Sequence, residues 1–147
     1  MITSTLNFID EKFLRVITKF KPSLFCCLLN LRQFLILRRS ISFHFSKNQK
    51  LFFAKEKDLT IYFFSTYRQV RLYSRGIKKR LKILASDYFL NSIPLEDNDY
   101  IIDCGANIGE LYIAASKISN KKLNYIGFEP SPKEFKCLSI NASNQKC

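Results

Sequence analysis

The sequence lacks the residue patterns of several protein classes. Its five cysteines include no Cys-x-x-Cys pair, and the single histidine, His44, has no metal-ligating residue nearby. Both absences argue against a structural zinc site. An odd number of cysteines also fits a reducing cytosol better than a secreted disulfide framework. We therefore expect the cysteines to be apolar core residues or surface thiols.

No apolar run is long and uninterrupted enough to cross a bilayer. The run at 23–37 contains Arg32 and falls short of the roughly 20 residues that a transmembrane helix needs. The sequence near the N-terminus also has no small-residue cleavage site of a secretory signal. The sequence therefore predicts a cytoplasmic location, with peripheral contact to an anionic membrane left open.

Acidic residues are missing from the segment 59–82, and most of the net charge of +12 lies before residue 100. A solvated basic surface and a docking surface for an anionic partner both explain this segment. Nucleic acid is disfavoured as the partner because no aromatic RNA-binding motif is evident. The basic residues of the segment are Arg68, Arg71, Arg75, Lys78, Lys79, Arg80 and Lys82.

Hydrophobic periodicity divides the chain of 147 residues into two parts. Residues 1–48 are predicted to form an apolar, basic helical extension with helices over 5–20 and 23–39. This extension either packs on the neighbouring domain or lies on a membrane surface. Residues 49–147 are predicted to be α/β. The elements predicted there are a β-hairpin at 50–64, a lead-in helix at 77–93, a strand at 100–103, a helix at 108–119, a strand at 123–128 and a helix at 132–142.

The segment 100–110 has the pattern of a ligand-binding turn. Apolar residues lead to Asp103, a turn of small residues begins at Gly105, and a helix follows. Asn107 tolerates the positive φ that such turns require. A second apolar run ends on Glu129, which places an acid at the end of the next strand. A strand, a glycine turn, a helix and a strand ending in an acid are typical of a fold that holds a nucleoside ribose.

The acids of the turn indicate which nucleoside binds. A dinucleotide site has Gly-x-Gly-x-x-Gly, whereas this turn reads Gly-Ala-Asn-Ile-Gly between Asp103 and Glu110. A carboxylate roughly 4–6 Å from a phosphate costs on the order of one to a few kcal/mol. Two such acids favour a cationic ligand without phosphate, which describes S-adenosylmethionine. Asp103 or Glu110 would face its methionine end, and Glu129 would accept hydrogen bonds from its ribose.

The two motifs resemble the FkbM family of S-adenosylmethionine-dependent methyltransferases. The resemblance rests on Asp-Cys-Gly-Ala-Asn-Ile-Gly-Glu at 103–110 and Gly-Phe-Glu-Pro-Ser-Pro at 127–132, followed by Phe135, Leu138 and Asn141. It implies a Rossmann-like class I methyltransferase sheet and an O-methyltransferase that acts on a sugar hydroxyl of a glycan or natural product. The expected partner is therefore a carbohydrate or another hydroxyl-bearing small molecule.

The resemblance also implies roles for individual residues. The turn from Asp103 to Gly109 would bind the methionine side of the cofactor, Glu129 would bind the ribose, and Pro130-Ser131 would lie beside the adenine. No residue can be assigned to holding the acceptor oxygen in line with the methyl group, roughly 3 Å away. The predicted cofactor-binding residues are Asp103, Gly105, Ala106, Asn107, Gly109, Glu110, Glu129 and Pro130.

The later strands of a methyltransferase sheet do not follow within these residues, so we expect only the cofactor-binding part of the enzyme. It would be a fragment, a truncated product or a chain that needs a second polypeptide to complete the sheet. Ile101 and Ile102 would then lie on an open hydrophobic edge and favour self-association. Two alternatives remain open. One is a fragment of an NAD-type Rossmann oxidoreductase. The other is a non-catalytic basic module that docks on anionic lipid or nucleic acid.

Overall fold

The protein is a mixed α/β structure with two small β-sheets, as described by a computed structural model for residues 12–64 and 67–144. The chain passes through two helices, a three-stranded antiparallel sheet, two further helices and then a strand–helix–strand–helix unit. The α/β class predicted from the sequence is therefore present.

Two helices precede the first sheet. Residues 12–17 are helical (α1), and the earlier part of the helix predicted over 5–20 lies outside the described residues. The second helix, α2, spans Pro22–Leu35. It ends before the predicted residue 39 because Arg38 adopts a left-handed φ of 47°, which a continuing α-helix does not allow. Within the described residues, no helix is long and apolar enough to cross a membrane.

The antiparallel sheet contains one strand more than predicted. β1 (Ser42–Ser46) pairs with β2 (Leu51–Glu56), and β2 pairs with β3 (Leu59–Phe63). The hairpin expected over 50–64 forms as β2 and β3. β1 lies in the predicted helical extension 1–48, after the last helix predicted there, and no strand was predicted at this place. Its sequence, Ser-Phe-His-Phe-Ser, alternates between apolar and polar residues, which is the pattern of a half-buried strand.

One face of this sheet forms part of the core. Phe43, Ala54 and Ile61 are adjacent across the three strands, and all three side chains are buried. Helix α2 packs on the same face, where the ring centroids of Phe25 and Phe52 lie 5.5 Å apart with the ring planes at 80°. Aromatic pairs in this edge-to-face arrangement stabilise a core beyond the area that they bury.

Two asparagine side chains close the two outer edges of the sheet. Asn30 of α2 donates to the Phe43 carbonyl at 2.9 Å and accepts from the Phe43 amide at 2.7 Å. At the opposite edge, Asn141 accepts from the Tyr62 amide at 2.7 Å and donates to the Tyr62 carbonyl at 3.0 Å. Each side-chain amide therefore replaces the peptide group of a neighbouring strand, which protects an otherwise unpaired edge.

Two helices connect the antiparallel sheet to the second sheet. α3 spans Tyr67–Tyr73 and α4 spans Ile77–Asp87. The lead-in helix predicted over 77–93 is thus shorter, and a 3₁₀ turn at Leu90–Ser92 replaces its end. A continuous helix would carry Leu90 away from the buried side of α4, whereas the break at Phe89, with φ of 53°, lets Leu90 enter the core.

The C-terminal unit follows the predicted order of elements. β4 (Tyr100–Cys104) and β5 (Asn124–Phe128) pair in parallel, and α5 (Glu110–Ser119) connects them. The last helix, α6, spans Pro132–Asn144. Helix α5 covers one face of the strand pair, where the rings of Tyr112 and Tyr125 lie 4.9 Å apart.

The opposite face of the parallel pair is exposed and largely apolar. Ile102 is 66% exposed, whereas Ile101 is half-buried and packs against the core. Both isoleucines lie on a strand with an open edge, as expected, and only Ile102 is exposed because successive side chains of a strand point to opposite faces. Within the described residues, β4 pairs only with β5. The exposed residues of this face are Tyr100, Ile102, Cys104, Ile126 and Phe128.

The Asn141 side chain generates a stability prediction. Replacing Asn141 by Leu leaves the part-buried amide and carbonyl of Tyr62 and the buried carbonyl of Ile108 without their partner. Each unpaired group costs roughly 1–3 kcal/mol, so the free energy of unfolding should fall by about 3 kcal/mol in chemical denaturation. Asn144→Leu, on the exposed part of α6, is the control and should change it by less than about 0.5 kcal/mol. Equal effects of the two variants would contradict the edge-closing role.

The exposed face of the parallel pair generates a second prediction. A polypeptide of these 147 residues should self-associate in sedimentation velocity, because apolar surface and an open strand edge lie together. Ile102→Thr keeps a β-favouring side chain but removes apolar area, and it should shift the population toward monomer. Ile83→Thr on α4, also an exposed isoleucine, should leave association unchanged. A wild-type monomer at every concentration would refute the prediction.

Candidate cofactor site

The turn after β4 has the backbone conformation that its small residues permit. Gly105, Asn107 and Gly109 have φ values of 87°, 50° and 82°. L-residues with a Cβ rarely adopt such angles, and asparagine is among the few that tolerate them. Space around Gly105 is open, whereas a Cβ on Gly109 would lie 2.8 Å from Leu138 of α6. Gly109 therefore permits close packing on α6.

The ends of the two parallel strands are tied together by hydrogen bonds. The carbonyl of Phe128 accepts from the amides of Gly105 at 2.8 Å and Ala106 at 3.0 Å. The Glu129 carboxylate accepts from the amides of Asn107 at 2.7 Å and Ser131 at 2.8 Å. The residues of the two sequence motifs thus form one cluster at the carboxyl edge of the strand pair, which is where open α/β sheets bind ligands.

The position of Asp103 depends on a tyrosine and a glycine of the neighbouring strand. Tyr125 donates its hydroxyl to Asp103 Oδ2 at 2.8 Å. Asp103 pairs in register with Gly127, and a Cβ at Gly127 would lie 2.9 Å from the Tyr125 ring. The missing side chain at Gly127 therefore leaves room for the Tyr125 ring to reach Asp103.

Glu110, which the sequence analysis placed near the methionine end of the cofactor, binds Arg80 and Tyr73 in the structure. Its carboxylate binds Arg80 through two hydrogen bonds of 3.1 and 3.2 Å and accepts from the Tyr73 hydroxyl at 2.5 Å. Arg80 neutralises its charge, so Glu110 joins α5 to α3 and α4 instead of presenting a free carboxylate to a ligand. Arg80 is therefore part of neither the solvated basic surface nor the docking surface considered for 59–82.

Burial and the charge of Glu110 change the pKa values of Tyr73 and Arg80. Burial raises the pKa of Tyr73 well above its usual value of 10.0, and the charge and hydrogen bond of Glu110 raise it further. For Arg80, burial by itself lowers the pKa, but the hydrogen bond and charge of Glu110 outweigh burial, so its pKa is raised. Tyr73 is therefore neutral and Arg80 charged over the ordinary pH range.

The start of α6 shapes the remaining side of the cluster. The Ser131 hydroxyl donates to the Glu134 carboxylate, and the Ser131 carbonyl accepts from the Phe135 amide at 2.8 Å. A serine followed three residues later by glutamate is a helix-starting pattern. Pro130 is exposed beside it. Asn141 of the same helix donates to the Ile108 carbonyl at 2.8 Å, so α6 also holds the glycine turn.

Most of the residues predicted for the site lie together. Asp103, the turn from Gly105 to Gly109 and Glu129 meet at the strand ends, with exposed Pro130 beside them, while Glu110 is committed to Arg80. Sequence reasoning missed Tyr125. Its position two residues before Gly127 on the same strand face was a detectable signal, because glycine there makes room for a large neighbour.

The described cysteines do not form a second site. Cys26 and Cys137 are buried, and burial raises the pKa of each thiol to about 11. Cys27 and Cys104 are exposed. In the part of the chain that the structure describes, no three His, Cys, Asp or Glu side chains are close enough to hold a metal ion.

Comparisons with protein-family models, with curated proteins and with solved structures found no match to this chain.

The buried Tyr73 generates a pH prediction. Because its pKa is raised in the folded protein, the unfolded chain releases this proton first as the pH rises above about 10. The stabilisation is complete below pH ~10 and is lost above it, with a slope of up to about 1.4 kcal/mol per pH unit. Urea unfolding at several alkaline pH values should show this decline. In Tyr73→Phe the free energy of unfolding should fall less steeply with pH, because the contribution of Tyr73 is absent. Tyr88→Phe, at an exposed position, is the control. An unchanged slope in Tyr73→Phe would contradict the assignment.

Proposed function

We propose that this chain is the cofactor-binding part of an S-adenosylmethionine-dependent O-methyltransferase of the FkbM type, with a Rossmann-like sheet and a sugar hydroxyl as acceptor. One observation carries the proposal: the Glu129 carboxylate binds the Asn107 amide. This bond brings the glycine turn and the second acidic motif to one point at the carboxyl edge of two parallel strands.

The electrostatics of the cluster support a cationic ligand. Among the described residues, neither Asp103 nor Glu129 forms a salt bridge. The two carboxylates belong to the ends of neighbouring strands, and each would attract a positive group about 4 Å away by on the order of a few kcal/mol at an intermediate dielectric. A sulfonium and an α-ammonium group supply such charges. With Glu110 neutralised by Arg80, this argument rests on Asp103 and Glu129 alone.

The hydrogen bonds of the turn argue against a phosphorylated ligand. The amides of Gly105, Ala106 and Asn107 donate to Phe128 and Glu129, and the Gly109 amide donates to the Ala106 carbonyl at 2.8 Å. A pyrophosphate site needs amides of this kind directed at the ligand. The turn therefore supports a nicotinamide dinucleotide as ligand less well than S-adenosylmethionine.

The roles of individual residues follow from their remaining hydrogen-bonding capacity. Each Glu129 oxygen accepts one amide and keeps a lone pair for a ribose hydroxyl. Asp103, oriented by Tyr125, would face the ammonium group, and Pro130 and Ser131 would lie beside the adenine. When bound, S-adenosylmethionine would supply the electrophilic methyl group.

Calorimetry with S-adenosylhomocysteine tests the proposal. We expect this chain to bind S-adenosylhomocysteine and not NADH. Glu129→Ala should abolish measurable binding, and Asp103→Ala should weaken it roughly tenfold or more, as expected for loss of a charge-assisted hydrogen bond of about 1.5–3 kcal/mol.

Asp97→Ala is the matched control, because it removes an acid from the loop at the other end of β4. It should leave the affinity unchanged. Unaltered affinity in Glu129→Ala, or tight binding of NADH, would overturn the proposal.

A further inference from the structure

Helix α2 exposes apolar side chains on the side that faces away from the antiparallel sheet. Its inner side buries Phe25 and Leu29. Its outer side exposes a stripe with the spacing of a single helix face, and we call this stripe the outer face of α2. It consists of Leu24, Cys27, Leu31, Phe34 and Leu35. The inner side also buries the polar side chains of Arg32 and Gln33, so the outer face is the more uniformly apolar of the two sides.

Basic residues border both ends of this face. Lys19 and Lys21 precede α2, and Arg38 and Arg39 follow it, all of them exposed. The segment 12–55 contains no aspartate or glutamate. The outer face of α2 therefore combines exposed aliphatic surface with positive charge that no acid of the same segment offsets.

The two arginines line an open cleft at the end of the helix. Helix α2 ends at Leu35, Arg38 has a left-handed φ of 47°, and Arg38 and Arg39 line the cleft together with Phe34 and Leu35. Together with Ser40, these residues surround a cleft of about 560 Å³. An apolar wall with two guanidinium groups matches a phospholipid, whose acyl chain is apolar and whose head group carries a phosphate.

We propose that the outer face of α2 docks on the surface of an anionic phospholipid bilayer, with Arg38 and Arg39 at the phosphate head groups. This property is separate from cofactor binding, because Glu129 and the glycine turn lie on other elements.

Charge and composition of the outer face favour lipid over a second copy of the chain and over single-stranded nucleic acid. Pairing of two copies through this face would bring Lys19, Lys21, Arg38 and Arg39 of both copies together without an acid from 12–55 to offset them. Single-stranded nucleic acid stacks its bases on aromatic rings, whereas Phe34 is the only aromatic residue of the outer face. Aliphatic surface bordered by cations is the pattern of a helix that lies in a membrane interface.

Flotation of the full chain with vesicles tests the docking surface. The chain should float with vesicles of phosphatidylcholine and phosphatidylserine at about 0.1 M salt and much less at about 1 M salt, where the Debye length falls to roughly 3 Å. Arg38→Gln/Arg39→Gln should weaken binding roughly 25-fold, from a factor of about five for each cation near the surface. Lys79→Gln/Lys82→Gln removes the same charge from α4 and should change binding little.

A tryptophan probe locates the contact independently of net charge. The chain has no tryptophan, so Phe34→Trp introduces a unique fluorophore at a residue that is 74% exposed. Its emission should shift to the blue with the anionic vesicles and be quenched by bromine-labelled acyl chains. Phe89→Trp is the control. Phe89 is 73% exposed and lies between α4 and the 3₁₀ turn, so this variant should show neither effect.

Four results would overturn the proposal. These are no flotation with either vesicle, equal binding to pure phosphatidylcholine, equal losses in the α2 and α4 double variants, and a blue shift of Phe34→Trp that depends on protein concentration without lipid. The last result would identify a second copy as the occupant. Circular dichroism of each variant checks that it is folded. Phe34→Trp, a conservative change, keeps the test decisive if the arginine variant does not fold.

Discussion

The hydrogen bonds of the Asn141 side chain join the antiparallel sheet to the glycine turn that follows β4. Its amide group pairs with both backbone groups of Tyr62 at the edge of the antiparallel sheet and donates to Ile108 in the glycine turn. The side chain is fully buried, so an unpaired group at any of these positions would be costly. One residue of α6 thereby fixes the sheet edge and the turn relative to each other.

The candidate site is assembled from contacts between loops that are distant in sequence. The Phe128 carbonyl and the Glu129 carboxylate accept the amides of the glycine turn, and Tyr125 orients Asp103. These bonds fix two carboxylates at the ends of neighbouring strands before any ligand binds. Preorganisation of this kind lowers the cost of ordering a site on binding. It suits the proposed role of recognising a cationic nucleoside.

The exposed apolar face of the parallel strands and the outer face of α2 differ in their surroundings. The face of the parallel strands that carries Ile102 adjoins the open backbone edge of β4, so a further strand and its covering helix would complement it. The outer face of α2 instead has cations at both ends and no open strand edge. Backbone groups favour a polypeptide at the first surface, whereas charge favours anionic lipid at the second.

The local sequence determined the elements of the C-terminal unit. Local patterns, each confined to a few residues, specify these elements. They are the apolar runs of strand length, the glycines of the turn and the serine before α6. The order from β4 to α6 and the positive φ of Asn107 were therefore predictable. The motifs also predicted that Asp103 and Glu129 lie at strand ends. Three contacts were decided only by the tertiary structure. They are the ion pair of Arg80 with Glu110, the hydrogen bond of Tyr125 to Asp103 and the pairing of Asn141 with the edge of the antiparallel sheet. Each of these contacts joins residues more than twenty positions apart, and no local pattern specifies which distant partner a polar side chain will meet.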